Sequence, residues 1–245
     1  MESCITSNAI TTVILLAGRV PLRRYGKAIF EECHEKENIE IAESMAGVGR
    51  KAEFHLVFVS SQAVYAPSSL LLSEDAPKDL DLKHLYGRSK IVSECLLHEG
   101  LEASRLTILR PSIVYGPGSK RGDVTERLIR GAIDGRRISL EYGSGSVKDF
   151  IFVDDVVEGL IGARKNPGTF KIGAGFGVRI DELVSEVESL MRAKIDVVYE
   201  GKGDDYAVLN THLIKSTTGF VSKTKLQDGL LETSKTIQQL YPGAK

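Results

Sequence analysis

The chain has 245 residues, 42% hydrophobic and 27% charged, enough to bury one sizeable core with a smaller lobe attached. Its 32 basic and 33 acidic side chains leave no global field that favours nucleic acid or an anionic membrane, and neither is expected as a partner. Cys4, Cys33 and Cys95 have neither metal-ligand spacing nor the density of a disulfide-stapled secreted domain, and MESCITSNAI is unlike a signal peptide, so no metal and a cytoplasmic setting are expected.

TTVILLAG, residues 11–18, is a continuous apolar, β-branched run ending in glycine and predicts a strand buried on both faces. The apolar run VILLAG is too short to cross a membrane. Residues 24–47 mix polar and apolar positions in a broadly helical way. FHLVFVSS (54–61) predicts a second buried strand, residues 84–99 a helix, and RLTILRPS (105–112) a third strand stopped by Pro111. Strands alternating with helices argue for parallel βαβ units. After residue 112 the rhythm changes. VYGPGSKRGD is rich in turn residues, and a helix is expected over 123–135. A short strand and helix follow in KDFIFVDDVVEGLIGARK, with Asp154 or Asp155 near the helix start. TFKIGAG (169–175) reads as a strand returning to the sheet. A helix over 180–192, a strand in KIDVVYE and a last helix beyond Lys223 complete the chain.

HLYGRSKIVSECLL places Tyr86 and Lys90 four residues apart on one helical face. A phenol is a poor acid or base at neutral pH, and a neighbouring ammonium favours its anion. Ser60 and Ser61 end the 54–61 strand, the position where parallel-sheet enzymes place reactive groups. Taken alone, the spacing is a weak signal and reads better as a solvated lysine beside a half-buried tyrosine.

Five segments occur in order: FVSSQAVYA, YGRSK, LRPSIVYGPG, KDFIFVDD and FKIGAG. Together they resemble the extended short-chain dehydrogenase/reductase family, in its NAD-dependent sugar-nucleotide epimerase and dehydratase branch, over nearly the whole chain. The resemblance implies Tyr86 as acid/base. Lys90 would bind the nicotinamide ribose and favour the Tyr86 anion, and Ser61 would hydrogen-bond the reacting oxygen. Pro111 and Ser112 match the segment lining the nicotinamide pocket, and Ala17 a cofactor contact at the end of the family's fourth strand. Lys148 stands where the family writes the arginine of RDF, which loses the planar fork suited to phosphate. Arg121 and Arg127 add local positive charge that would partly compensate, and Lys148, Arg127 and Lys202 make up the expected substrate-binding set. Arg130, Arg136 and Arg137 read better as a solvated basic face. GSGS at 143–146 matches a family turn, and Lys202 and Asp204 in GKGDD resemble a substrate-side segment, although they read equally well as a loop tip.

The family binds its dinucleotide through a glycine-rich turn that opens a helix. Here the first glycine is Gly18, in LLAGRVP, and Leu15 stands where the family's fourth-strand pattern often has histidine. The expected fold is therefore α/β, an incomplete Rossmann-like parallel sheet lacking the first three strands, with a small C-terminal substrate lobe. Residues 1–113 and 149–176 would form the first part, 114–148 and 177–245 the second. The cofactor implied is NAD or NADP, without tight binding. The expected function is an NAD(P)-dependent epimerase or reductase acting on a nucleotide-sugar-like secondary alcohol. The alternative is a non-catalytic truncated homologue serving as a binding or scaffold protein, or a fragment of a longer enzyme. The edge at 11–17 would be exposed and apolar, implying a homodimer or a partner there.

Overall fold

The computed structural model describes residues 2–24, 27–29, 31–66, 71–78, 85–119, 122–201 and 205–240. Four apolar segments form one parallel sheet: β1 (Thr12–Leu15), β2 (His55–Val59), β3 (Leu106–Pro111) and β4 (Gly168–Ile172), adjacent in chain order. Thr12 pairs with His55, Val57 with Thr107 and Thr107 with Gly168. The central strands read as unbroken apolar runs because both faces are covered. On one face Leu56, Phe58, Leu106 and Ile108 pack against α1 (Glu32–Gly49) and α2 (Leu85–Gly100). On the other, Val57, Leu109, Phe170 and Ile172 meet Val156 and Leu160 of α4, which spans Val153–Ala163.

β1 differs from its neighbours. It ends the sheet among the described strands, and only one of its faces is covered. Leu15 is buried with Ile5 of the short helix Glu2–Ser7, whereas Ile14 is 40% and Leu16 66% exposed.

The helix expected from residue 24 begins later, at Glu32. Leu22–Arg24 and Lys27–Ile29 instead pair as antiparallel strands. The helix starts where Glu31 and His34 form a reciprocal capping box, the Glu31 N–H donating to His34 Nδ1 at 3.0 Å.

A second apolar cluster gathers Leu128 and Ile129 of α3 (Val124–Asp134), Ile180 and Leu183 of α5 (Ile180–Met191) and Leu230 of α6 (Leu226–Leu240). Asp123 caps α3 by accepting from the Thr125 and Glu126 amides, each at 3.0 Å. Among the described residues no helix is long and apolar enough to cross a membrane.

α1 and α2 cross closely at Gly100. A Cβ there would lie 2.4 Å from the Ala46 Cβ and 2.6 Å from its Cα, so the contact is with backbone that cannot swing away. Gly100→Ala is expected to destabilise the fold by about 1–2 kcal/mol, overpacking outweighing the better helix propensity of alanine. Chemical denaturation checks this; a variant as stable as the parent would show that the crossing has slack.

Candidate functional site

The carboxyl ends of the strands and the amino end of α2 converge on a cleft of about 720 Å³. Ser61, Tyr86, Lys90, Pro111, Ser112 and Lys148, six of the residues singled out from sequence, line it. Tyr86 and Lys90 lie one turn apart on α2, as their spacing requires. Lys90 is 6% exposed, and its Nζ lies 4.9 Å from the Phe58 ring centroid and 5.8 Å from that of Tyr86. It donates to the Val59 carbonyl at 2.9 Å. Burial lowers the Lys90 pKa to about 8, against the opposing pull of the Glu94 charge.

The two serines after β2 are turned to different tasks. The Ser60 hydroxyl is buried and donates to Glu94 Oε1 at 2.6 Å. Ser61 Oγ accepts from the Ala63 amide at 3.1 Å, capping the short turn Gln62–Val64. A hydroxyl that accepts one bond keeps its hydrogen for another partner.

The loop after β1 is fixed beside this site by Asn38. Its Oδ1 accepts from the Arg19 amide at 2.6 Å, and its Nδ2 donates to the Arg19 carbonyl at 3.0 Å and to Ser89 Oγ at 3.1 Å. A Cβ on Gly18 would come within 3.1 Å of Asn38 Oδ1, so this approach suits glycine. Ala17 is exposed between Leu16 and Gly18, which line the cleft.

At the far end, Lys148 pairs with Asp205, and its Nζ lies 5.0 Å from the Tyr142 ring centroid. Ser112 donates to Asp149 Oδ1 at 3.1 Å. Asp149 is fully buried and also accepts from the amides of Ala174, Gly175 and Leu209. Burial raises its pKa, while these bonds favour the anion.

Arg127 is not among the lining residues. It donates to the Ser139 carbonyl at 2.8 Å and to Glu141 Oε2 at 2.9 Å, and Glu141 lines the cleft in its place. Lys202, Asp204 and Arg121 lie outside the described residues. Arg130, Arg136 and Arg137 pair with Glu126, Asp134 and Asp196.

Sequence reasoning missed Glu94 and Arg110. Arg110 Nε donates to Glu94 Oε1 at 2.9 Å and Nη2 to Oε2 at 2.6 Å, both residues being buried. A signal was present: an arginine inside the apolar run LTILRP needs a buried partner.

The depressed Lys90 pKa links pH to stability. Below pH about 8 the folded and unfolded states both carry the proton, and the fold bears the cost of a buried ammonium. Between about 8 and the ordinary value near 10.5, the unfolded chain holds a proton that the folded one has released, so stability rises with pH. Across this window the parent should gain about 1–3 kcal/mol relative to Lys90→Met, read from urea denaturation at each pH. A constant difference would contradict the shift.

Residues 1–173 match the sequence profile of the NAD dependent epimerase/dehydratase family. UDP-glucuronate 4-epimerase of Thermodesulfobacterium geofontis is 26% identical over 235 residues, covering 92% of this chain and 68% of that protein. UDP-glucuronate 4-epimerase 5 of Arabidopsis thaliana is 26% identical over 215 residues, and the match covers 78% of this chain. The chain spans about half, 49%, of that relative's length. Among solved structures, MoeE5 in complex with UDP-glucuronic acid and NAD superposes with a TM-score of 0.83 at 25% identity, over 98% of this chain and 82% of that one. The UDP-glucuronic acid 4-epimerase of Bacillus cereus, with UDP-glucuronic acid and NAD, gives 0.85 at 20% identity over 98% and 78%; it is a likeness of fold.

Proposed function

The chain belongs to the NAD dependent epimerase/dehydratase family, and on that premise we propose that its cleft acts on a secondary hydroxyl of a nucleotide sugar, as an NAD-type epimerase or reductase. The observation that carries this reading is the meeting of Ser61, Tyr86 and Lys90 with Pro111 and Ser112 on one cleft at the carboxyl ends of a parallel sheet. In it, Tyr86 exchanges the proton of the substrate hydroxyl, Ser61 hydrogen-bonds the same oxygen, and the Lys90 charge stabilises the phenolate that Tyr86 becomes. A nicotinamide cofactor, when bound, supplies the acceptance and return of hydride. Gln62 and Ala63 follow Ser61, where elimination calls for an acidic pair, so epimerisation or simple reduction ranks above dehydration. Lys148 is the described cation at the substrate end, and Lys202 is proposed to join it.

The residues present fit the two ends of the cofactor unequally. Lys90, Pro111 and Ser112 suit the nicotinamide riboside. Among the described lining residues the only glycine is Gly18, and it opens no helix, so the pyrophosphate meets no glycine-rich turn at a helix N-terminus. This supports weak holding of NAD or NADP by the chain alone. β1 ends the sheet among the described strands, and with Ile14 and Leu16 exposed beside it this supports a homodimer or strand-adding partner there. Cys4, Cys33 and Cys95 are free thiols, which suits the cytoplasm.

Two measurements test this reading. With UDP-glucuronic acid and NAD, Tyr86→Phe should lower turnover by at least ~100-fold with little change in KM, the lower end for a positioned acid/base; turnover near the parent's would refute the assignment. Calorimetric titration of the chain with NAD or NADP should give no saturable binding in the micromolar range, and a sub-micromolar site would overturn the weak-binding claim.

A further inference from the structure

Glu94 lies one turn beyond Lys90 on α2, is 1% exposed, and has no part in the chemistry above. Its carboxylate collects four contacts. Ser60 Oγ and Arg110 Nε meet Oε1, and Arg110 Nη2 and Lys78 Nζ meet Oε2, the last at 3.3 Å. Lys90 meanwhile donates to the Val59 carbonyl. Two side chains one turn apart on α2 thus grip consecutive residues, Val59 and Ser60, where β2 ends, and Ser61 is next in the chain.

We propose that Glu94 is a positioning residue: a buried anion that, with Lys90, fixes the end of β2 so that Ser61 faces the cleft, and that supplies the counter-charge keeping Lys90 an ammonium. This rests on Ser61 and Lys90 being working residues.

The charges around the carboxylate are arranged to keep it ionised. Burial alone would raise its pKa. The bonds and charge of Arg110 on β3, the Ser60 hydrogen bond and the charge of Lys78 outweigh that and hold it below the usual carboxylate range. Around Lys90 stand the Phe58 and Tyr86 rings and the Val59 carbonyl, and Glu94 is the charge that opposes its desolvation. Removing the anion leaves that desolvation unopposed. Ser60→Ala instead breaks the grip and leaves the charge, so the two functions of Glu94 are separable.

The test uses NMR of the chain labelled with ¹³C at the lysine side chains, without cofactor or substrate, Lys90 being assigned by its loss in Lys90→Met. In Glu94→Gln the Lys90 midpoint should fall by roughly one pH unit, a tenfold loss of proton affinity. In Ser60→Ala the midpoint should stay put while amide exchange at Ser60 and Ser61 quickens by about tenfold, or ~1.4 kcal/mol of local opening. If Glu94→Gln does not fold, Glu94→Gln with Arg110→Met removes the pair together so that no guanidinium is stranded, and the Lys90 midpoint is again expected to fall. A Lys90 midpoint unchanged in a folded variant lacking the Glu94 charge, or moved equally by Ser60→Ala, would overturn the proposal. No turnover is read, so inactivity of the chain or a silent Tyr86→Phe would count against the proposed function alone.

Discussion

A charge pair sealed between a helix and a strand sets the architecture of this molecule. Glu94 of α2 and Arg110 of β3 meet through two parallel hydrogen bonds, with side chains 2% and 5% exposed. Two such charges are costly to desolvate, and the arrangement is tolerable only because their remaining hydrogen-bonding capacity is also met. Arg110 Nη1 donates to Tyr65 Oη at 2.8 Å, and Ser60 and Lys78 complete the carboxylate's shell. Removing one partner of a buried pair typically costs about 3–5 kcal/mol, because the other is left stranded. Helix, central strand and the end of β2 are therefore fixed relative to one another by a single polar knot. Tyr86 and Lys90 take their places from the same helix.

A second buried cation extends the knot along the sheet. Lys171 of β4 is fully buried, bonds to the Leu72 carbonyl and lies 3.4 Å from Glu74. Arg110 and Lys171 approach the Tyr65 ring to 5.2 and 5.9 Å. Residues 71–78 are thus held across the strand ends by charges that rise from the sheet. Leu72 in turn bridges to Leu209, which donates its amide to Asp149. Asp149 bonds Ser112 as well, so the two apolar clusters flanking the cleft are joined by buried polar contacts. A Cβ on Gly173 would lie 2.5 Å from Asp149 Oδ2, which explains why the chain leaving β4 runs through glycine.

Much of this was legible in the residues. The strands at 55–59 and 106–111 announce themselves because a sheet covered on both faces writes near-continuous apolar runs, and those at 12–15 and 168–172 are legible from their β-branched and apolar residues although each is partly exposed. Tyr86 and Lys90 declare a shared helical face by spacing alone. The start of α1 was not legible: LRRYGKAI has a mixed pattern that suits a helix as well as a hairpin, and the Glu31–His34 cap is an uncommon one. Arg127 looked like a ligand contact because it is basic and near the substrate segment, but its bonds go to Ser139, on the strand Ile138–Leu140, and to Glu141 just past the end of that strand, which no local pattern reveals. Glu94 and Arg110 escaped notice for the same reason. Arg110 stands out as a charge inside the apolar run LTILRP, but nothing local names Glu94 as its partner, and the pair exists only after α2 has packed on β3.

Replacing Arg110 by lysine tests the central claim most directly, since it keeps the charge and removes the planar fork that reaches both oxygens of Glu94 and the Tyr65 hydroxyl at once. Amide hydrogen exchange followed by mass spectrometry would report on each element separately. If the pair fixes helix and strand ends together, peptides covering residues 55–65 and 85–100 lose protection in concert, by about tenfold or more, while those from α3 and α5 stay as in the parent. Loss of protection confined to β3, or none at all, would contradict the account.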